Sequence, residues 1–367
     1  MSKELGNNSL IKSTIVSNDR LVIVDSEDIG INSNPKVKTV SYSLFKTFYN
    51  VTSYGVIGDN STINTTILQN LINTITSSGG GVLYFPSGVY KTGKITINKT
   101  IFIKGDGKVN SIIKGITADV LIEYDYSGSH PNSSIQDIQL DGNNIATIGL
   151  NLLEIALYDF TNLLIKNFTS HGIKGLGALE ATLRLSQIYN CPIGIEQDWS
   201  TNHNQPNLFL IEGCQFQGCS SWAIKWSHFA SLTLRNCEIN SGTINDYNTG
   251  CVYVTNLSPL NEGVGLIMDS CWLEGMLGNG VKVDGAIYPT LNVIRNCIFL
   301  HNPANGTVRS INIDGSNINT VLLLDHCKID DTVYANGLHA EIRNNGSIVT
   351  NAPSLNNSSV LKSLTYL

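Results

Sequence analysis

A repeat that runs through the second half of the chain constrains its fold more than any other feature of the sequence. Five cysteines recur at steps of 23, 34, 26 and 30 residues, at Cys214, Cys237, Cys271, Cys297 and Cys327. An apolar residue lies three positions before each cysteine, and another lies two positions after it. One such unit is too small to bury a core of its own, so the pattern predicts that successive units stack into one continuous core.

Most units contain a second short apolar strand after the cysteine, as in segments 280–285 and 310–315. Two short strands and a turn per unit predict an all-β fold, namely a right-handed single-stranded parallel β-helix with coils ~4.8 Å apart. A free cysteine behaves as a small buried hydrophobe. We therefore expect a column of unpaired thiols in the core, with disulfides between consecutive coils as the less favoured alternative.

The same pattern continues less regularly toward the N-terminus of the chain. We align Leu140, Ile165 and Leu185 with the apolar position three residues before the cysteine column. The position two residues before the column alternates in charge over five units, at Glu212, Arg235, Asp269, Arg295 and Asp325. Because opposite charges on adjacent strands stabilise one another, we interpret this row as a structural charge ladder.

The second strand of each unit aligns another outward row. In that row Glu196 lies between Lys174 and Lys225. A cross-coil ion pair is the simplest interpretation of this glutamate.

Three parts are predicted along the chain. Residues 1–46 hold two short apolar runs separated by polar residues and are predicted to form an extended adaptor segment. Residues 47–345 are predicted to form the β-helix, and residues 346–367 an Asn/Ser-rich tail. Over residues 61–76 the apolar side chains recur on one face of an amphipathic helix. This helix is predicted to cap the first coil, since an open end would expose unpaired strand edges and core.

Several segments carry a resemblance to a known family. They read NVTSYGVIGD at residues 50–59, GGGVLYFPSGVY at residues 79–90 and IFIKGDG at residues 101–107. Together they resemble the opening of the pectate-lyase-3-like superfamily of parallel β-helices, which includes many phage tailspikes and polysaccharide depolymerases. Residues 18–46 resemble the short N-terminal segments of virion tail proteins.

The resemblance implies a homotrimeric tailspike that binds and often cleaves a bacterial surface polysaccharide. It also implies that the N-terminal segment contacts phage tail or baseplate proteins. The first residues lack the apolar run of a secretory signal. This favours a protein that is made in the host cytoplasm and built into a virion, with secretion as the alternative.

Composition argues against several other classes of protein. The net charge is −6 at pH 7, whereas a nucleic-acid partner requires a basic surface. No apolar run reaches the ~18 residues of a membrane-spanning helix, so no membrane insertion is expected. The eight cysteines include no zinc-type CxxC pair and the aspartates form no tight cluster, so no metal site and no cofactor are predicted.

The register yields one candidate catalytic pair. Hydrolysis of a glycosidic bond needs two carboxyl groups, which lie ~6.5–9.5 Å apart in inverting enzymes. Glu238 lies one residue after its column cysteine, and Glu274 lies three residues after the next one. One strand step and two residues along a strand give a diagonal of roughly 8 Å. Trp272 falls in the row of Glu238, where its ring suits the face of a sugar.

Further candidates lie in the same section of the chain. Glu196, Asp198 and Asp246 are alternative catalytic acids. The predicted substrate-binding residues are aromatic side chains and one histidine, namely Trp199, Trp222, Trp226, His228, Tyr247, Tyr253 and Trp272. All tryptophans of the chain lie between positions 199 and 272, which favours a sugar-binding groove. The alternative for each of them is packing in the core or at a subunit contact.

Two other functions stay open on the sequence alone. A tail protein that binds the glycan without cleaving it needs only the groove. A polysaccharide lyase that acts by β-elimination needs a base and a cation beside a uronate, for which Lys225, His228, Arg235 and Tyr253 are candidates. Hydrolysis ranks first because no aspartate cluster suits the calcium ion that would neutralise the uronate.

Overall fold

The computed structural model describes residues 20–24, 37–41, 47–125, 133–177, 179–198, 208–227, 231–241, 248–255, 263–284, 290–301, 309–314, 320–330, 333–336, 340–349, 354–356 and 360–363. The chain divides into two compact units, Met1–Phe48 and Tyr49–Leu367. In the first unit, the strands Arg20–Val24 and Val37–Ser41 pair antiparallel. Whether this unit serves as an adaptor stays a prediction.

The second unit contains a 3-10 helix, Val51–Tyr54, and an α-helix, α1, over Thr65–Ser77. The sequence predicts the helix over residues 61–76. It begins four residues later because Asp59–Ile63 forms a strand. Within this strand the Asp59 carboxylate accepts hydrogen bonds from two backbone N–H groups, and these lower its pKa.

Helix α1 is amphipathic, as its spacing predicts. Its buried side chains are Leu68, Leu71, Ile72 and Ile75. They belong to the same apolar core as the first coils. The role of α1 as a cap against open strand edges stays a prediction.

The other described strands of the second unit pair in parallel and stack into three long sheets. Sheet 1 lies before the cysteine column and contains Phe48–Asn50, Gly81–Phe85, Ile101–Gly105, the first halves of Ser133–Asp141 and Ala156–Lys166, Leu179–Arg184, Phe209–Glu212, Leu232–Arg235, Gly263–Asp269, Thr290–Arg295, Thr320–Asp325, Ala340–Asn345 and Val360–Ser363. Sheet 1 ends at a corner that turns the chain into sheet 2.

Sheet 2 lies directly after the cysteine column. It contains Asp59–Ile63, Gly88–Thr92, Ser111–Gly115, the second halves of Ser133–Asp141 and Ala156–Lys166, Gln187–Tyr189, Gln215–Gln217, Glu238–Asn240, Trp272–Met276, Ile298–His301, Lys328–Ile329 and Ile348–Val349. Three consecutive short strands, Gln187–Tyr189, Gln215–Gln217 and Glu238–Asn240, each carry one buried apolar residue between two outward side chains.

Sheet 3 closes each coil with eleven described strands. They are Ile95–Ile97, Val120–Asp125, Ile148–Leu153, His171–Leu176, Ile193–Asp198, Trp222–Ser227, Gly250–Thr255, Asn279–Asp284, Ile311–Asp314, Val333–Asn336 and Ser354–Asn356. Stacked parallel strands with one continuous core confirm the predicted parallel β-solenoid. No described helix is long and apolar enough to cross a bilayer.

Later coils pair in the predicted register. Ile211 lies opposite Leu234, Leu234 opposite Met268, and the row continues to Ile294 and Leu324. All eight cysteines are buried and unpaired, which confirms the expected column of free thiols.

The alternating outer row of sheet 1 is a charge ladder, as predicted. Arg235 Nη1 lies 3.5 Å from Glu212 Oε1. Arg295 Nη2 lies 2.8 Å from Asp269 Oδ2. The salt bridges join neighbouring strands of sheet 1, so these side chains hold coils in register.

The predicted alignment of Leu185 is wrong. Leu183, two residues earlier, lies opposite Ile211. Leu185 occupies the corner itself, with φ 50° and a side chain that is 61% exposed. The column position of this coil is held by Ser186, so no cysteine marks the register here.

The alignments of Leu140 and Ile165 are wrong as well. These residues lie opposite one another, and Ile165 also lies opposite Ile188, in sheet 2 rather than sheet 1. The reason is that Ser133–Asp141 and Ala156–Lys166 run through the corner as single strands. Because each of these strands is continuous, the sequence shows no interruption at the corner, whereas a break separates sheets 1 and 2 in the later coils.

Candidate functional site

The predicted catalytic pair lies on the outer face of sheet 2. Strands Glu238–Asn240 and Trp272–Met276 pair in parallel, with Glu238 opposite Trp272 and Asn240 opposite Glu274. The predicted register of these residues is therefore confirmed. One strand spacing and two residues along the strand put the two glutamates on a diagonal of roughly 8 Å.

Trp272 lies next to both glutamates, opposite Glu238 in the neighbouring strand and two residues before Glu274 in its own strand. The side chain is 44% exposed. Its Nε1–H group donates a hydrogen bond of 2.9 Å to Oε2 of Glu274. The bond fixes the indole beside the acid while leaving ring surface for an apolar sugar face.

A chain of polar side chains holds Glu238 from the preceding coils. Gln215 Nε2 donates to Glu238 Oε2 at 3.2 Å. Gln187 Nε2 donates to Gln215 Oε1 at 3.0 Å, and the Tyr189 hydroxyl donates to the same oxygen. Burial, and then the negative charge of Glu238, raise the pKa of Tyr189. These hydrogen bonds link Glu238 to the outer rows of the two preceding coils.

An open cavity of about 450 Å³ lies beside Glu238. Its lining residues are Lys108, Asn162, Leu185, Ser186, Gln187, Gly213, Cys214, Gln215, Asn236 and Glu238. The Lys108 ammonium donates to the carbonyl of Leu185 at 3.4 Å, across 77 positions of sequence. Sequence reasoning missed Lys108 because no repeat links its turn to the later coils.

A second polar group lies on the outer face of sheet 3, around Glu196. Lys225 Nζ lies 2.5 Å from Glu196 Oε1, which confirms the expected cross-coil ion pair. The other oxygen, Oε2, bonds to His171 Nε2 at 2.6 Å. The hydrogen bond from His171, and then the Lys225 ammonium, lower the pKa of Glu196 to about 2.

Asp198 lies at the end of the same strand as Glu196. Its side chain is exposed, and Oδ1 accepts a hydrogen bond of 2.6 Å from Ser227 Oγ. The catalytic role predicted for Glu196 and Asp198 stays a prediction, although Glu196 is already held by two partners.

Two predicted sugar-binding tryptophans are buried, and this corrects the sequence analysis. Trp226 is 1% exposed and packs edge to face on Phe209, with ring centroids 4.8 Å apart. Trp222 is 4% exposed and stacks on Tyr253 at 5.1 Å. A polysaccharide on the surface reaches neither ring, because each is covered by other side chains.

Tyr253 is partly exposed, but its hydroxyl and its ring already have partners within the protein. Its hydroxyl donates to Asp284 Oδ2 at 2.7 Å, and the Lys282 ammonium lies 5.1 Å from the ring centroid. Burial, and then the hydrogen bond to Asp284, raise the pKa of Tyr253. The side chain is therefore a poor base in this arrangement.

Four predicted site residues lie outside the described residues, namely Trp199, His228, Asp246 and Tyr247. Among the residues that the structure describes, no three His, Cys, Asp or Glu side chains come together to hold a metal ion. Of the predicted groups, the structure thus brings together Glu238, Trp272 and Glu274.

Among known proteins, the N-terminal part of the second unit matches one family model. Residues 48–156 match the model described as Rhamnogalacturonase A/epimerase, pectate lyase-like. A mannuronan C5-epimerase of Azotobacter vinelandii is 32% identical over 114 residues, which are 28% of this chain and 11% of that protein. The chain thus spans only a small part of this relative.

Solved structures share the fold at low sequence identity. The ORF18 protein of Geobacillus virus E2 has a TM-score of 0.60 at 20% identity, over 86% of this chain and 60% of that one. An Acinetobacter phage tailspike has a TM-score of 0.65 at 13% identity, over 86% of this chain and 62% of that one. The resemblance drawn from the sequence is confirmed: residues 48–156 match a pectate lyase-like family model, and the solved structures share the parallel β-solenoid fold.

Proposed function

We propose that this chain is a phage tailspike-type protein that binds a bacterial surface polysaccharide and hydrolyses it. The observation that carries the proposal is the arrangement of Glu238, Trp272 and Glu274 on one exposed face. A backbone diagonal of roughly 8 Å between the two glutamates suits the wider carboxyl spacing of an inverting hydrolysis, which leaves room for a water molecule. The partly exposed indole of Trp272 beside them suits the apolar face of a sugar ring.

In this proposal one glutamic acid protonates the glycosidic oxygen, and the other glutamate activates water on the opposite face of the sugar. Glu274, which accepts the indole N–H bond, keeps one oxygen for a second partner. Glu238 is positioned by Gln215. The cavity beside Glu238 offers Lys108 and several amides to the flanking sugars.

The proposal extends to assembly and location. A homotrimer that attaches to tail or baseplate proteins through its N-terminal segment, after synthesis in the host cytoplasm, fits a tailspike. The support is the resemblance of residues 18–46 to virion tail proteins and the fold shared with the phage proteins. A virion protein of this kind needs neither a cofactor nor nucleic acid as a partner.

The test of hydrolysis measures reducing ends released from host capsule or lipopolysaccharide. Glu238→Gln and Glu274→Gln should each lower the rate by at least ~100-fold, because a general acid or base contributes that much. Glu212→Gln is the matched control, since this glutamate lies in the charge ladder of sheet 1 with Arg235. If both site variants stay active, the pair is wrong. If wild-type protein binds the polymer without shortening it, the chain is a binding-only tail protein.

A lyase is the second candidate, favoured by the relative named a mannuronan C5-epimerase. Epimerisation at C5 and β-elimination both start by removing a proton beside a uronate carboxylate. Of the predicted bases, Lys225, Arg235 and Tyr253 already bond to carboxylates in this structure. A lyase would produce an unsaturated sugar that absorbs in the ultraviolet, and active digests without this absorbance would eliminate it.

A further inference from the structure

A separate group of reactive side chains lies on the outer face of sheet 3. Ser170 Oγ lies 2.7 Å from His171 Nδ1. The other ring nitrogen, Nε2, lies 2.6 Å from Oε2 of Glu196 in the neighbouring strand. Lys225 Nζ, one strand further, lies 2.5 Å from Glu196 Oε1. The result is one continuous chain of hydroxyl, imidazole, carboxylate and ammonium.

The chemistry of this chain assigns its protons. Glu196 is ionised, because its partners lower its pKa to about 2, and an ionised carboxylate only accepts hydrogen bonds. When the imidazole of His171 carries a single proton, that proton therefore lies on Nε2. Nδ1 is then a bare acceptor, and the Ser170 hydroxyl donates to it. An imidazole held this way is poised to act as a base toward a hydroxyl.

The base is more deeply buried than the serine, and its carboxylate partner is largely buried. His171 is 8% exposed, and the Glu196 side chain is 12% exposed. Ser170 is only partly buried. Lys174 lies opposite Glu196 in the strand pairing, so a further cation belongs to the same outer row.

We infer that Ser170 and His171 form an ester-hydrolysing site that removes acyl groups, such as O-acetyl groups, from a polysaccharide. Ser170 is the nucleophile and His171 the general base, while Glu196 and Lys225 are positioning residues that fix the imidazole. The activity goes beyond cleavage of the polysaccharide backbone, and it uses a different sheet from the Glu238 pair.

The reaction requires no reagent other than the ester and water. Ser170 Oγ attacks the carbonyl carbon of the ester, and its proton passes to Nδ1 of His171. The ester C–O bond then breaks, and the sugar oxygen leaves with that proton. Water attacks the acyl-serine by the same route, which releases the carboxylic acid and restores the Ser170 hydroxyl.

Two probes test the site in the full chain: 4-nitrophenyl acetate as substrate, and diisopropyl fluorophosphate as a covalent label for an activated serine. The wild-type protein should hydrolyse the acetate and carry one phosphoryl adduct on Ser170, located by peptide mass spectrometry. Ser170→Ala should lower hydrolysis by at least ~100-fold and abolish the adduct. Release of reducing ends from the polysaccharide should not change, which separates this site from the proposed hydrolase.

Ser221→Ala is the matched control. Ser221 occupies the corresponding position two coils later, where its N–H donates to Pro192 as that of Ser170 donates to Thr147. It precedes Trp222 instead of a histidine, so its replacement should leave hydrolysis and labelling unchanged. No adduct on Ser170 of the wild-type protein, or equal hydrolysis by Ser170→Ala, overturns the inference.

The positioning role has its own readout. Glu196→Gln should slow labelling of Ser170 at least ~10-fold in protein that is still folded by circular dichroism, because the amide no longer fixes the imidazole tautomer. Labelling at the wild-type rate in folded Glu196→Gln would contradict the assigned role.

Discussion

At the scale of single residues, one left-handed residue makes the corner between sheets 1 and 2 in each coil from Ser133–Asp141 onward. These residues have φ between 50° and 64° and are Asp137, Asn162, Leu185, Gly213, Asn236, Ser270, Asn296, His326 and Gly346. Each directly precedes the column position of its coil. Glycine, asparagine and aspartate tolerate this conformation, whereas other side chains cost roughly 1–2 kcal/mol. The backbone of Leu185 is therefore strained.

Replacing Leu185 by glycine should raise the free energy of unfolding by about 1 kcal/mol, since the backbone strain is relieved and the side chain is 61% exposed. Leu208→Gly is the control, because that leucine is 57% exposed but is not among the residues of positive φ. Urea unfolding measures both. A Leu185→Gly variant that is no more stable than Leu208→Gly would contradict the strain argument.

The Glu196 cluster makes stability depend on pH. The pKa of Glu196 falls from 4.5 to about 2 on folding, so its contribution is fully present above the unfolded value. That contribution should be lost as pH falls from about 4.5 toward about 2. Urea unfolding of wild type and Glu196→Gln should show a stability gap that shrinks across this window. A gap that stays constant down to pH 2 would mean that His171 and Lys225 do not lower the pKa of Glu196.

At the scale of elements, α1 is the feature whose role most needs a test. Ile72 is 1% exposed in the core, whereas Asn73 points outward on the same helix. Ile72→Asp would bury a charge, so it should lower the melting temperature markedly and cause aggregation, because the helix would detach from the first coils. Asn73→Asp should change neither. Light scattering during thermal unfolding distinguishes them, and equal behaviour of the two variants would contradict a capping role.

Much of the element pattern was predictable because the column cysteines mark the corner of each later coil. Where Ser186 replaces the cysteine, the corner is invisible in the sequence and the alignment is wrong. The burial of Trp226 could also have been predicted from the alternation of side chains along a strand. Lys225 faces outward, so its neighbour Trp226 must face the core. The contact of His171 with Glu196 could not be predicted from the register. Lys174 is the residue that pairs with Glu196, and His171 lies three residues before it.

At the scale of the whole molecule, the solenoid offers two outer faces with different chemistry. Sheet 2 holds the carboxylate pair with Trp272, and sheet 3 holds the chain from Ser170 to Lys225. A long polymer can contact successive coils, because strands repeat every ~4.8 Å along the solenoid. Chain cleavage on one face and acyl removal on the other would act on the same polysaccharide.

The stereochemistry of cleavage tests the Glu238–Glu274 assignment most directly. Proton NMR of the first products from a purified host polysaccharide reports the configuration of the new reducing end before it mutarotates. A diagonal of roughly 8 Å between the two glutamates predicts an inverted anomeric centre. Retention would contradict this assignment, since retaining enzymes hold their two carboxyl groups only ~5–5.5 Å apart.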